Sequence, residues 1–408
     1  MSRRALLAGA LGGAAALLAA CAAQALHSAT PTAGPSASGA ASAPATSETP
    51  LPSASSPHGP SLAAKVAQML LVGFRGTDAD SAAAMIRDVR ERSVGGVVLF
   101  SSDQPTGSTV RNIVSPSQLA ALTAALQDAA AASEAGDPLL VAVDEEGGRV
   151  ARLDPAHGFP ATESAAALGA RDDVTHTRIA GQQMAATLRA AGINLNLAPV
   201  VDLDVNPDNP IIGALDRSFG ADPALVTRQA RAFIRGHHAV GVRTTLKHFP
   251  GHGSSTADSH LGVVDVTDTW SSVELDPYRR LIPAGVVDTI LTAHVFNARL
   301  DPDHPATLSA ATIDGLLRGQ LGWDGVVISD DMQMGAIRQA YGYRDAVRLA
   351  ILAGVDVLTI ANQQVFEADV VARTVGIVVD LVDRGEISAE RIDRSWQRIQ
   401  ALKARLAA

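Results

Sequence analysis

The chain has 408 residues, with 33 Lys+Arg against 42 Asp+Glu, a net charge of −9, a single Cys and 47% hydrophobic residues. One cysteine excludes an internal disulfide and a thiolate zinc centre, and the acidic balance excludes a general nucleic-acid-binding surface. Only 3% of the residues are aromatic and 18% are charged, so the core is expected to be large and aliphatic.

Residues 1–20 read as an export signal. Arg3 and Arg4 precede an uncharged apolar run from Ala5 to Ala20, which is too short for a membrane span. The run ends in Leu18-Ala19-Ala20-Cys21, which resembles the lipobox of bacterial lipoproteins and makes Cys21 the expected lipidated first residue. Ser2–Leu7 also resembles a twin-arginine signal. From Ala22 to Pro60 there is no Lys or Arg, one acid (Glu48), no aromatic residue and seven prolines. Residues 21–60 are therefore expected to be a disordered tether that holds a folded domain off the membrane.

The folded part is expected to span residues 61–408. Apolar, strand-like runs occur at Met69–Phe74, Val94–Phe100, Leu139–Asp144, Ile193–Leu203, Val242–Phe249, Thr289–His294, Gly325–Asp330 and Asp356–Ala361. Amphipathic stretches lie among them: Asp80–Arg92, Pro116–Ala132, Asp173–Ala191, Pro223–Val240, Ala310–Leu321, Tyr343–Leu352 and Val365–Arg384, with Ala389–Leu406 last. Near-continuous Val/Ile/Leu runs indicate strands buried on both faces and hence parallel. Eight of them alternating with helical sequence predict an α/β fold, a single (β/α)8 TIM-like barrel. No Gly-x-Gly-x-x-Gly follows the first strand, so a dinucleotide fold has no support.

In such a barrel the chemistry sits at the C-terminal ends of the strands. Those ends carry Asp144-Glu145-Glu146, Asp202, Lys247-His248, His294, Asp330-Asp331 and Asn362, whereas the opposite ends read as mainly glycine, small or apolar. A structural protein has no reason to gather Asp, Lys and His at one rim. The densest stretch is Lys247–His260, which holds three of the chain's 11 histidines. Gly251 and Gly253 allow it to curl back over the barrel mouth. The Asp258-x-His260 spacing lets the carboxylate orient the imidazole, which makes His260 a candidate proton shuttle. His252 alone reads as structural.

The run Lys247-His248-Phe249-Pro250-Gly251-His252-Gly253 with Asp258-Ser259-His260 resembles the β-N-acetylglucosaminidase branch of glycoside hydrolase family 3. So do Asp144–Val150, Asp216–Gly220 and Val327–Met332, in the family's order. The chain is similar above all to exported actinobacterial lipoproteins of that branch. One departure is Glu145, where many members carry Gln; it is expected to add negative charge beside Asp144. The resemblance implies that Asp330 is the nucleophile of a covalent glycosyl-enzyme, placed by the motif ahead of Asp331. It implies that His260 is the acid/base with Asp258 as its partner, and that Asp144, Arg152, Arg217, Lys247 and His248 bind sugar. It implies no cofactor and no metal. The chain ends soon after the eighth unit, leaving no room for the second domain that supplies the acid/base of many β-glucosidases in the family. Exo-hydrolysis of terminal β-linked N-acetylglucosamine (GlcNAc) from peptidoglycan fragments is therefore expected over glucosidase activity. The expected species is a monomer acting on an oligosaccharide outside the cell, held to the membrane through its lipid and without a nucleic-acid partner.

Rival readings remain at this stage. They are phosphorolysis, a metal hydrolase using His248, His252, His260 and His294, substrate-assisted hydrolysis by the acetamido group, and a non-catalytic sugar-binding lipoprotein.

Overall fold

A computed structural model describes residues 59–406; the export signal, Cys21 and all but the last two residues of the expected tether lie outside the described residues. Eight parallel strands form the centre: β1 Leu70–Gly73, β2 Gly96–Leu99, β3 Leu140–Val143, β4 Leu195–Asn196, β5 Arg243–Phe249, β6 Thr289–Thr292, β7 Val326–Ile328 and β8 Leu358–Ile360. They pair in the order β8-β1-β2-β3-β4-β5-β6-β7, and a parallel bridge between Ile328 and Val357 brings the two ends of the sheet together. The result is a (β/α)8 barrel. Its strands are buried on both faces, as in Leu71, Val97, Val141, Ile290 and Val327, so each run is apolar without alternation.

The helices follow the local stop and start signals. Ser115 caps Pro116–Ala131 through a capping box with Gln118, Asp173 caps Val174–Ala190, and Asp222 caps Pro223–His238. Tyr343–Ala353, Val370–Asp383 and Ala389–Ala404 also fall where the amphipathic pattern predicts them.

Four features differ from the sequence reading. β4 pairs over only two residues, with a further bridge from Val200 to Lys247, because Pro199 interrupts the ladder inside the predicted Ile193–Leu203 run. No long helix follows β5; a long loop leads to the short helix Asp276–Leu281. Ala311–Gln320 winds as a π-helix, where a side chain at Gly319 would meet the Asp314 carbonyl at 3.2 Å.

The N-terminal rim is the fourth, for it is not simply small and apolar. Asp288, just before β6, accepts from the Thr244 amide at 2.9 Å and faces His238 at 2.6 Å. Asp356, just before β8, accepts from Arg318 and Ser395, each at 2.7 Å, and from the Val327 amide at 3.0 Å. These buried carboxylates tie the last helix to the barrel floor.

Candidate active site

The C-terminal ends of the strands surround a cavity of about 350 Å³ lined by Asp144, Arg152, Arg217, Lys247, His248, His260 and Asp330. Lys247 and His248 both face it, although neighbours in a regular strand point to opposite sides; the β5–β6 register shifts between Leu246 and Phe249.

The floor is a compensated set of charges. Lys247 Nζ donates to Asp144 Oδ1 at 2.6 Å and lies 2.7 Å from Glu146 Oε1. Arg217 grips Glu146 with both arms of its guanidinium, Nε to Oε2 at 2.7 Å and Nη2 to Oε1 at 2.8 Å. Burial alone would raise the Glu146 carboxyl, but Arg217 and Lys247 outweigh it and hold the group well below the carboxylate range. Burial likewise opposes the Lys247 ammonium, and Asp144 and Glu146 reverse that effect, so the Lys247 pKa is raised.

His248 Nδ1 lies 2.6 Å from Asp202 Oδ2, and Arg217 Nη2 donates to His248 Nε2 at 3.3 Å, which places the ring proton on Nδ1. Asp202 also accepts from the amides of His248 and His252. Burial opposes its ionisation, while the His248 and His252 side chains and the amide bonds keep it lowered. Glu146 and Asp202 appear in the sequence at the strand ends, but no site role was assigned to them there. The signal for Glu146 was the pair of cations opposite, since Lys247 and Arg217, once buried in the barrel mouth, require buried counter-charges.

Glu145 is corrected by the structure. Its carboxylate turns away from the cavity and accepts from the Arg152 and Leu153 amides at 2.8 and 2.9 Å. It fastens the loop that carries Arg152, and burial pushes it up to about 7, so it is not a fixed negative charge beside Asp144.

Asp330 and Asp331 follow β7 and behave differently. Asp330 lines the cavity and accepts a hydrogen bond from the Asp331 amide at 2.8 Å. Burial acts to raise it, but the side chains of His294, His248 and His260 hold it below its usual value. The neighbours that lower it are thus imidazoles. Asp331 accepts from the Ala361 amide at 2.9 Å and the Gln333 amide at 3.1 Å, and burial raises it to about 6.

His260 sits on the loop after β5, half exposed, with Nδ1 2.6 Å from Asp258 Oδ1. Its own amide donates to the same oxygen at 2.9 Å. Gln364 Nε2 donates to the His260 carbonyl at 3.1 Å, and Gln339 Nε2 to that of Leu261 at 2.8 Å. Gly251 takes a φ of +127°, and a side chain at Gly253 would strike the Leu203 carbonyl. Only the first therefore needs glycine for its turn; the second needs it for close approach. His252 is buried between Ser255 Oγ at 2.6 Å and Ser259 Oγ at 3.2 Å, and burial lowers it to about 4, a structural histidine in the wall. His294 is spent on Thr307 and the Asp331 carbonyl. Among the described residues, no group of three or more His, Cys, Asp or Glu side chains is placed to hold a metal ion.

An ionised carboxylate and a carboxylate-bound histidine facing one cavity at the mouth of a (β/α)8 barrel define a glycosidase-type site. The glycosyl hydrolase family 3 N-terminal domain matches residues 61–402. The chain belongs to glycoside hydrolase family 3 and is a glycoside hydrolase. It is 38% identical over 335 residues to a β-hexosaminidase of Tolumonas auensis, covering 81% of this chain and 92% of that one. Among solved structures it resembles the β-N-acetylhexosaminidase of Beutenbergia cavernae, with a TM-score of 0.75, 32% identity, and 84% and 98% of the two chains covered. It also resembles the family 3 β-N-acetylglucosaminidase of Paenibacillus sp. str. FPU-7, with a TM-score of 0.78, 38% identity and 86% of this chain covered; the match spans 63% of that longer chain.

Proposed function

We propose that the chain is a retaining exo-β-N-acetylglucosaminidase that removes terminal β-linked GlcNAc. One observation carries the mechanism: a lowered Asp330 carboxylate lines the same cavity as a histidine whose Nδ1 is held 2.6 Å from a carboxylate. In the first step an Asp330 oxygen attacks the anomeric carbon while His260, as imidazolium, donates its Nε2 proton to the glycosidic oxygen, and the aglycone leaves. In the second, neutral His260 takes a proton from water, which attacks the same carbon. The Asp330 carboxylate is released and the sugar departs with its configuration retained. Asp258 holds the Nδ1 proton throughout and stabilises the imidazolium. Asp144, Lys247, Arg217 and His248 hold the sugar hydroxyls. Arg152, whose Nε is buried without a partner, supplies a free donor. The likeness to relatives named as β-hexosaminidases supports GlcNAc as the sugar.

The proposed natural substrate is a peptidoglycan fragment, GlcNAc joined to a muramic acid unit. Arg149 lines the cavity, its side chain is 64% exposed, and among the described residues the carboxylate paired with it is Asp216 at 3.2 Å, so it can meet an acidic aglycone. The location that fits is outside the cytoplasm, with Cys21 carrying the lipid; fatty-acid labelling of the chain and of C21S tests this.

A fluorinated aryl β-GlcNAc analogue tests the mechanism. Accumulation of one covalent adduct on Asp330 is expected, and an enzyme that turns over without any adduct there would instead support assistance by the acetamido group. In phosphate buffer the product is expected to be GlcNAc rather than its 1-phosphate.

A further inference from the structure

The helices Val174–Ala190 and Pro223–His238 are locked together by close backbone approach. A side chain at Gly236 would meet the Arg178 carbonyl at 2.4 Å, and one at Gly181 would meet that of Phe233 at 2.8 Å. Beside this seam runs a groove of about 450 Å³ that shares no lining residue with the catalytic cavity. Its lining includes Arg178 from one helix, Arg228, Arg231 and Arg235 from the other, and Arg280 from the short helix Asp276–Leu281. The acids that pair with this set are Asp172 and Asp222, both at one end and both on Arg228, at 2.6 and 3.9 Å. Among the described residues, Arg178, Arg231, Arg235 and Arg280 pair with no carboxylate, and Arg231 Nε is buried without an acceptor.

Such a cluster is anomalous in a chain of net charge −9. Arg228, Arg231 and Arg235 are spaced three and four residues apart on one helix face, where like charges repel and destabilise the helix. Guanidinium forks match phosphate oxygens in pairs. From Arg228 to Arg235 the helix rises about 10 Å, more than one phosphate spans.

We propose that this groove is a binding site for an anion bearing two or more phosphate groups. The phosphates could belong to a soluble oligophosphate or to neighbouring anionic lipid headgroups, since both present the same oxygens.

The test uses the full chain with C21S, so that no lipid anchor contributes. Titration with sodium tripolyphosphate is expected to show saturable binding that weakens with salt and drops at least tenfold in R231Q/R235Q. Turnover of an aryl β-GlcNAc is expected to stay unchanged and the melting temperature to hold or rise slightly as the repulsion is relieved, and R178Q/R280Q provides a second variant on the same groove. R90Q/R92Q, on the helix Ala83–Arg92, is expected to bind as the parent does. Absence of binding, or equal weakening in R90Q/R92Q, overturns the proposal because diffuse charge would then account for it. Sedimentation with phosphatidylglycerol vesicles that requires Arg231 and Arg235 assigns the ligand to lipid headgroups. Tripolyphosphate binding without such sedimentation assigns it to soluble phosphates.

Discussion

Replacing Glu146 by Gln tests the electrostatic foundation of the site. The carboxylate is buried, accepts both arms of Arg217 and lies 2.7 Å from Lys247, so its loss leaves two buried cations with Asp144 as their remaining close counter-charge. Breaking a buried ion pair from one side costs about 3–5 kcal/mol, because the partner's charge is left uncompensated. At roughly 2 °C per kcal/mol for a chain of this size, the melting temperature is expected to fall by about 6–10 °C. The pH dependence has a definite sign. The folded-state carboxyl is held below its ordinary 4.5, so its contribution is complete above that value and fades as the pH falls below it. Urea unfolding of the parent and E146Q at pH 7 and pH 3.5 should therefore show a large gap that narrows in acid. Lys247 and Arg217 also lose the group that aims them, and a displacement of about 1 Å costs on the order of 10²-fold in kcat/KM. An E146Q variant with the parent's unfolding midpoint at pH 7 would refute the role of Glu146 as counter-charge.

Other outcomes are equally specific. D330N is expected to lose turnover of an aryl β-GlcNAc by about 10⁴-fold, and D331N by less than tenfold, because the amide oxygen can still accept from Ala361 and Gln333; comparable losses would contradict the assignment. Glu145 is raised from 4.5 to about 7, so the folded state binds its proton more tightly, and stability is lost as the pH rises between those values. E145Q, which keeps an acceptor for the Arg152 and Leu153 amides, should stabilise the chain at pH 8 by up to about 3 kcal/mol and hardly at pH 4, as read by thermal melting. H260A should slow substrates with poor leaving groups far more than activated aryl ones, and equal losses would argue against proton donation. R149Q should raise KM severalfold for a substrate with a carboxylate-bearing aglycone and leave the neutral aryl substrate unchanged; a shift for both would place Arg149 outside aglycone recognition.

The barrel was legible because buried parallel strands leave an unmistakable trace: short apolar runs without alternation, separated by helical periods. All eight strands fall within their predicted runs. What periodicity could not convey was where pairing stops. Pro199 ends the β4 ladder although the surrounding residues remain apolar, and the chain after Phe249 is organised by loop contacts such as Gln364 to His260 rather than by a helix. Candidate residues, Glu146 and Asp202 among them, were recoverable from their position at strand ends, but which of them hold which was not. Glu146 and Asp202 work on Arg217, Lys247 and His248 across the barrel, and such pairings are set by three-dimensional closure rather than spacing. Glu145 shows the converse. Two adjacent glutamates look equivalent in sequence, yet one faces two cations and stays ionised while its neighbour faces backbone amides and approaches neutrality.

The same separation governs Asp330 and Asp331 and explains how neighbouring carboxyls can share a site without competing. Two carboxylates in one low-dielectric pocket repel, so their ionisation is resolved by what surrounds each. The His294, His248 and His260 side chains lower Asp330, and its side-chain bond comes from a single amide, which leaves most of its acceptor capacity free. Asp331 has two amides bound to one oxygen and no imidazole strong enough to offset burial, so it titrates near 6. A nucleophile must be charged and unencumbered, whereas a brace need only accept. The surroundings push the two groups apart in the direction those tasks require. Because His248 and His294 both lower Asp330, and Asp202 fixes the His248 ring, the ionised state of Asp330 depends on a carboxylate reached only through an intervening imidazole.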